Sequence, residues 1–302
     1  MGSSRRSQST DAGSPADAGR LVLVGTPIGN LEDITHRALS VLAGAEVVAC
    51  EDTRRARKLF SHYGIRVREL VVYNDANERR QARSLLERIA SGTEVALISD
   101  AGMPGLSDPG FRLVEACSQR GFEVVVVPGP TAAVSALAIS GLPPGRFAFE
   151  GFLPRKASDR RRRVAELRAE ERTIVLYESP HRIAGSLADL HEALGDRRAV
   201  VARELTKMYE TAHRGTLSEL HALAEQGELR GELVVVVSGA VRGNVDTVDP
   251  EELAARAEQL IAEGMERKSA MTAVAQEAGV SKRAVFDALV ASKHSADGGE
   301  ER

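Results

Sequence analysis

The sequence predicts an α/β protein built of two open-sheet domains followed by a small helical module. Three observations carry this: short aliphatic and β-branched runs each stopped by Gly or Pro, helix-length segments between them, and the loss of strand-like runs beyond residue 249. With 302 residues, 43% hydrophobic and 27% charged, the chain has the balance of a folded globular protein and the length for several cores.

Residues 1–19, rich in Ser, Gly, Ala and Asp and lacking the apolar core of a signal peptide, are expected to form a disordered tail. LVLVGTPIGN from Leu21 reads as a buried strand entering a functional loop. Thr35 is placed to cap a helix through Leu39 and Leu42; AEVVAC then reads as a strand, and Arg54 to Tyr63 as a helix. EVALISD (Glu94 to Asp100) and FEVVVVPG (Phe122 to Gly129) are continuous apolar runs of the kind that suits strands covered on both faces, hence a largely parallel sheet. A first domain is expected over 20–140.

GLPPGR (Gly141 to Arg146) reads as a linker, because paired prolines fix the chain. A second α/β domain over 141–240 then follows from TIVLYES, RAVVAREL and GELVVVVSG, with a helix from Ile183 to Leu194. The third module, 250–293, starts with Pro250 at a first helical position and an apolar stripe of Leu253, Leu260 and Ile261. Residues 294–302 are expected to be a disordered tail.

The formal net charge of −3 gives no global nucleic-acid signal, so any such contact must come from local basic clusters. Two cysteines, Cys50 and Cys117, make neither a disulfide framework nor a thiolate metal site, and no metal is expected. No apolar run is long enough to span a bilayer, so a cytoplasmic protein with no membrane partner is expected.

The loop SDAGMPGLSDPG (Ser99 to Gly110) sets three glycines and two prolines around aspartates at a strand's end, where open α/β sheets bind ligands and Gly permits close backbone approach. The competing explanation is a pair of tight turns whose aspartates satisfy backbone donors. The same composition recurs in GTPIGN (Gly25 to Asn30) and VPGPTAA (Val127 to Ala133), each after an apolar strand, which favours one shared site. None of the three matches a dinucleotide or P-loop phosphate cradle.

VGTPIGNLEDIT, ACEDTR, ISDAGMPGLSDPG, VPGPTAA, GFLPRK, ESPHR and ARELTK occur in this order. On these motifs the chain, from Leu21 to about Val290, resembles the tetrapyrrole methylase superfamily, and within it the branch that acts on ribosomal RNA. Ser99-Asp100-Ala101 stands where the wider superfamily has a Gly-Asp-Pro turn, which counts against a precorrin substrate. The resemblance implies two α/β domains with S-adenosyl-L-methionine in the cleft between them, in a homodimer. It implies a cofactor site of Ile28, Asp100, Met103, Thr131, Ala132, Glu178, Leu205 and Glu232, with Gly25, Pro27 and Gly102 of the same loops. The implied reaction is 2'-O-methylation of a cytidine in the decoding region of 16S rRNA.

Methyl transfer to a ribose hydroxyl demands in-line positioning and gains from a base that takes the proton. The candidates are Glu51, Asp52 and Glu204, with Lys207 to steer a phosphate or lower the hydroxyl's pKa. For the ACEDTR acids the alternative is a salt-bridged helix start, since acids complement a helix N-terminus. The RNA-contact candidates are Arg54 in RRARK, Arg155 and Lys156 in RKASDRRRR, and His181 and Arg182 after Pro180, though charge runs also serve as solvated faces. Ala275, Gly279, Val280 and Val285 have helix-turn-helix spacing, with Ser281 as the cap and Lys282 and Arg283 directed at phosphates; any three-helix packing also produces it. Rival functions are methylation of a tetrapyrrole or of a modified histidine in an elongation factor, and a DNA-binding regulator with a metabolite-sensing α/β part.

Overall fold

The structure, a computed structural model, describes residues 18–240, 249–278, 280 and 282–297. Most of the two expected tails, together with Gly279 and Ser281, lies outside the described residues. The chain divides into two compact units, 1–168 with 173–238 and 169–172 with 239–302. Both sheets belong to the first unit.

The first sheet contains β1 (Arg20–Val24), β2 (Val47–Cys50), β3 (Glu69–Val72), β4 (Val95–Leu97) and β5 (Glu123–Val127), in the order β3-β2-β4-β1-β5. All its pairings are parallel, as the continuous apolar runs predict. Leu21, Val47, Ala49, Val95 and Leu97 pack on one side beneath α3 (Glu78–Ala90) and α4 (Phe111–Gln119). Val22, Val24, Val48 and Ala96 pack on the other beneath α1 (His36–Gly44) and α2 (Thr53–His62). Thr35 caps α1 as expected, its hydroxyl accepting from the Ala38 amide at 3.0 Å.

Helix α5 (Ala132–Ser140) leads to the second sheet, formed by β6 (Phe147–Phe152), β7 (Thr173–Glu178), β8 (Arg198–Arg203), β9 (Thr211–Thr216) and β10 (Leu233–Val237). Its order is β6-β7-β10-β8-β9, and of its four pairings only that of β6 with β7 is parallel. One face is covered by α6 (Ala157–Glu166), α7 (Ile183–Leu194) and α8 (Leu217–Glu225). The other is covered by α5, whose Ala133, Ala136 and Leu137 join Val175, Val200 and Val234. This helix falls within 20–140 in the sequence reading, yet its apolar side completes the second sheet's core.

Under α6 the Arg160 guanidinium meets the Asp189 carboxylate at 2.6 Å, with side chains 12% and 9% exposed. Removing one partner leaves a nearly buried charge alone, so Arg160→Met is expected to lower the unfolding free energy by about 3 kcal/mol. Arg160→Met with Asp189→Leu is expected to recover most of that, which denaturant titration of the three proteins will measure.

In the second unit α9 (Pro250–Ala262), α10 (Arg267–Glu277) and α11 (Lys282–Asp297) share a core of Leu253, Ala257, Val274, Val280, Val285 and Leu289. Pro250 does open α9, capped by Asp249, and Leu253 is buried, while Leu260 is partly so. Helix α11 continues through residues 294–297, which the sequence reading gave to a tail.

Candidate active site

In the first sheet β4, β1 and β5 are neighbours and parallel, so the three loops that follow them leave the same edge. They touch. The Gly25 amide donates to the Val127 carbonyl at 3.0 Å, and Thr26 and Gly102 exchange backbone hydrogen bonds of 2.9 and 3.1 Å. A Cβ built on Gly25 would lie 2.6 Å from the Gly129 Cα, so these turns approach closely only because both residues are glycine. The bends at Gly25, Asp100 and Gly129 therefore meet at one end of the sheet.

A loop from the second sheet closes over them. Ile28 and Leu205 enter the core cluster between α5 and the second sheet, and the Asn30 amide donates to the Thr206 hydroxyl at 2.9 Å. Glu204 and Thr206 have φ of +52° and +64°, and Ser107, in the β4 loop, has +64°. These are the non-glycine residues with positive φ among the described residues, a conformation that costs about 1–3 kcal/mol each and persists where surrounding contacts impose it.

Between the two halves of this first unit lie two adjoining cavities. The first, of about 300 Å³, is lined by Ile28, Gly102, Met103, Thr131, Ala132, Glu178, Leu205 and Glu232, eight of the cofactor positions named from sequence. Pro27 and Asp100 line the second, of about 520 Å³, and Gly25 lies at the loop crossing behind them. Ile28, Ala101 and Glu232 line both and so form the border.

Sequence reasoning missed the aromatic wall of the first cavity. Tyr177 and Phe152 have ring centroids 5.5 Å apart, and Phe152 is 54% exposed. The available signal was positional, since Tyr177 immediately precedes ESPHR and Phe152 lies within GFLPRK at the end of β6. Glu178, 2% exposed, accepts from the Ser179 amide at 2.8 Å and the Ser186 hydroxyl at 2.5 Å. Asp108 also lines this cavity; burial pushes its carboxyl up to about 6, the Ser99 hydroxyl opposes, and the charges of Asp100 and Asp75 add to the rise.

Of the catalytic candidates, Glu51 and Asp52 line neither cavity. Asp52 caps α2, accepting from the Arg54 amide at 2.8 Å and guanidinium at 2.7 Å, and the hydrogen bonds from Arg54 hold its carboxyl down at about 2. The salt-bridged helix start is thus realised at Asp52. Glu51 accepts from the Asp100 amide at 3.3 Å; burial, reinforced by Asp108, pushes its carboxyl up to about 7.

Lys207 does line the second cavity, its ammonium 3.2 Å from both Glu204 and Glu232. Burial alone would lower its pKa, but the two carboxylates outweigh that and raise it, so the ammonium stays charged. Glu204 lines neither cavity. Its carboxylate accepts from the Glu232 amide at 2.7 Å, which, with help from Lys207, holds it below the usual range.

The basic candidates divide. Arg54 turns to Asp52, whereas Arg55, Lys58 and His62, one turn-spaced face of the same helix, line the second cavity. Arg155 and Lys156 are exposed, while Arg160, Arg162 and Arg163 in the same run pair with Asp189, Asp159 and with Glu150 and Glu166. His181 is exposed, but Arg182 donates to the Leu153 and Pro154 carbonyls at 2.7 and 3.0 Å and fastens that loop. Lys282 folds back within its own unit, onto the Lys268 carbonyl and the Thr272 hydroxyl at 2.9 and 2.8 Å, instead of projecting outward. Arg283 is exposed, 3.9 Å from Asp287.

Two sheets meeting over a glycine-lined cleft define a methylase architecture: a family model described as Tetrapyrrole (Corrin/Porphyrin) Methylases matches residues 20–221, and the chain belongs to that family. The crystal structure of the methyltransferase CobJ superposes with a TM-score of 0.56 at 23% identity, covering 74% of this chain and 95% of that one. Diphthine synthase gives 0.55 at 16% identity over 73% and 90%. Both likenesses speak to the fold. Nearer relatives are proteins named ribosomal RNA small subunit methyltransferase I. The one from Pasteurella multocida is 44% identical over 271 residues, 89% of this chain and 95% of its own, and that from Mycobacterium tuberculosis 45% over 284 residues, 93% and 98%.

Proposed function

We propose that this protein transfers a methyl group from S-adenosylmethionine to small-subunit ribosomal RNA, at the 2'-hydroxyl of a cytidine in the decoding region of the 16S molecule. The observation that carries the reading is the pair of adjoining cavities with Glu232 at their border and Lys207, in the second cavity, paired with it. The names of the relatives, at 44% and 45% identity over most of their length, supply the substrate class.

The first cavity suits the cofactor. Its volume lies at the lower end of small-ligand pockets, which run about 300–1,000 Å³. Phe152 and Tyr177 offer flat faces to a purine, and the strand-end turns bring backbone amides and carbonyls close. Bound there, S-adenosylmethionine supplies an electrophilic sulfonium methyl. Glu232, on the border, is placed to take the proton of an incoming hydroxyl, and the Lys207 ammonium positions its carboxylate. Ile28 and Ala101 exclude water at the same place.

Arg155, Lys156 and His181 remain as outer RNA contacts, Arg283 as one on the helical unit. A homodimer fits the exposed Val126, Val134 and Ile139 on edge strand β5 and helix α5, apolar area that a second copy would cover. Among the described residues no helix is long and apolar enough to cross a membrane, which accords with work on ribosomal particles in the cytoplasm.

The deciding experiment incubates the full chain and methyl-labelled cofactor with small subunits lacking the modification, then maps the labelled nucleoside. Label on a cytidine ribose is expected. Label on a base, or transfer to a tetrapyrrole instead, would overturn the reading.

A further inference from the structure

We infer that the second cavity is an acceptor pocket for one nucleotide drawn out of the RNA, and that the Arg55, Lys58 and His62 face of α2 reads its phosphates. This deepens the RNA-methylation reading and rests on it. Enzymes that act on a base draw the target out of the stack into a pocket beside the reactive group, and the same extrusion would bring a ribose hydroxyl held within a folded RNA to an enclosed site of transfer. The larger cavity, about 520 Å³, meets the cofactor cavity along Ile28, Ala101 and Glu232, so an occupant reaches the site of transfer without crossing protein.

Its walls differ in chemistry. Leu31, Ala56, Leu59 and Ile98 give an apolar floor suited to a base or sugar face. Arg55, Lys58 and His62, spaced i, i+3 and i+7, project from one side of α2. Two of the cavity's cations are already engaged, Arg55 with Asp100 at 3.5 Å and Lys207 with its two glutamates. Lys58 and His62 are exposed and have no ion-pair partner among the described residues. Their donors are therefore available to phosphate oxygens flanking an extruded nucleotide. Beyond Lys207 the chain continues into Met208 and Tyr209, 89% and 68% exposed, where a neighbouring base has an apolar surface to stack on.

Counterion release supplies a readout that a merely structural role would not move. A lysine that neutralises one phosphate contributes about 0.7–0.9 to the slope of log affinity against log salt. Affinity of the full chain for small subunits lacking the modification is measured between 50 and 300 mM KCl (roughly the range in which such slopes develop), for the wild type, Lys58→Ala, Lys58→Arg and Lys58→Ala with His62→Ala. Lys58→Ala is expected to weaken binding about tenfold at low salt and to lower the slope by about one. Lys58→Arg is expected to restore the slope, and calorimetric affinity for S-adenosylmethionine is expected to stay unchanged in all four. If the wild type methylates RNA and the slope and affinity of both alanine variants equal its own, this inference falls while the function stands. If the wild type methylates no RNA, the function falls and this inference with it.

Discussion

Gly25→Ala will cost the protein its cofactor affinity, by tenfold or more, while the equivalent change at Gly44 leaves affinity untouched. The methyl group added at Gly25 meets the Gly129 Cα at 2.6 Å, the Gly129 nitrogen at 2.7 Å and the Met103 sulfur at 2.8 Å. Two of these are backbone atoms, so the β1 and β5 turns must separate, and forced overpacking of this kind costs about 1–3 kcal/mol. The parting carries Thr26 and Gly102 with it, since their reciprocal backbone hydrogen bonds tie the third loop to the crossing. Gly44 ends α1 with nothing within 4 Å of an added Cβ, and Ala there is neutral or stabilising because it reduces the entropy lost on folding. Calorimetry with S-adenosylmethionine separates the two; wild-type affinity in Gly25→Ala would show that the crossing does not shape the pocket.

Most of the strands that stood out in the sequence are buried on both faces; the exception is edge strand β5, whose FEVVVV run stood out although Val126 is 49% exposed. β1, β2, β4, β7, β8 and β10 read as continuous apolar runs because helices cover each side of both sheets. Those same runs carried no direction: covered on both faces, an antiparallel strand such as β10 is as uniformly apolar as a parallel one, so the mixed second sheet was not legible. β3, β6 and β9 were missed for a related reason. Each lies at a sheet edge; ELVV is largely exposed or half-buried, TAHRGT is polar, and FAFEGF is broken where Gly151 takes φ +59° at a register shift.

Loops were legible by composition and side chains less so. Glycine and proline mark where backbones must approach; the eleven cofactor positions come from the family resemblance instead, and eight of them fall on one cavity. Composition cannot say which side of a helix a charge takes. In RRARK, Arg54, two residues past the cap, closes on Asp52, whereas Arg55 and Lys58 turn to the second cavity; the difference between Arg54 and Arg55 is one residue of helical phase. Glu232 was read as a cofactor contact, and its place on the border depends on Glu204, which bends through positive φ to accept from its amide and so aligns two loops distant in sequence.

Glu232→Gln is expected to lower the single-turnover rate by about a hundredfold or more at saturating RNA, the usual loss when a positioned base is removed. Cofactor affinity should change less than about threefold, because the Gly231–Val234 backbone that lines the first cavity is kept and the Glu204 carboxylate still receives the residue 232 amide. The competing base is Glu51, whose carboxyl, pushed up to about 7 by burial, has the pKa suited to neutral catalysis. It faces Asp100 behind the loop instead of either cavity, so Glu51→Gln should hold the rate within a few-fold. Its effect belongs to stability. A carboxyl with a folded pKa above its unfolded 4.5 resists ionisation in the fold; that penalty is absent below pH 4.5, grows through about 7 and is complete above it. Glu51→Gln should therefore raise the melting temperature at pH 8 more than at pH 5, with activity largely retained. A collapse of the rate in Glu51→Gln, together with a wild-type rate in Glu232→Gln, would move proton transfer out of the border and behind the β4 loop.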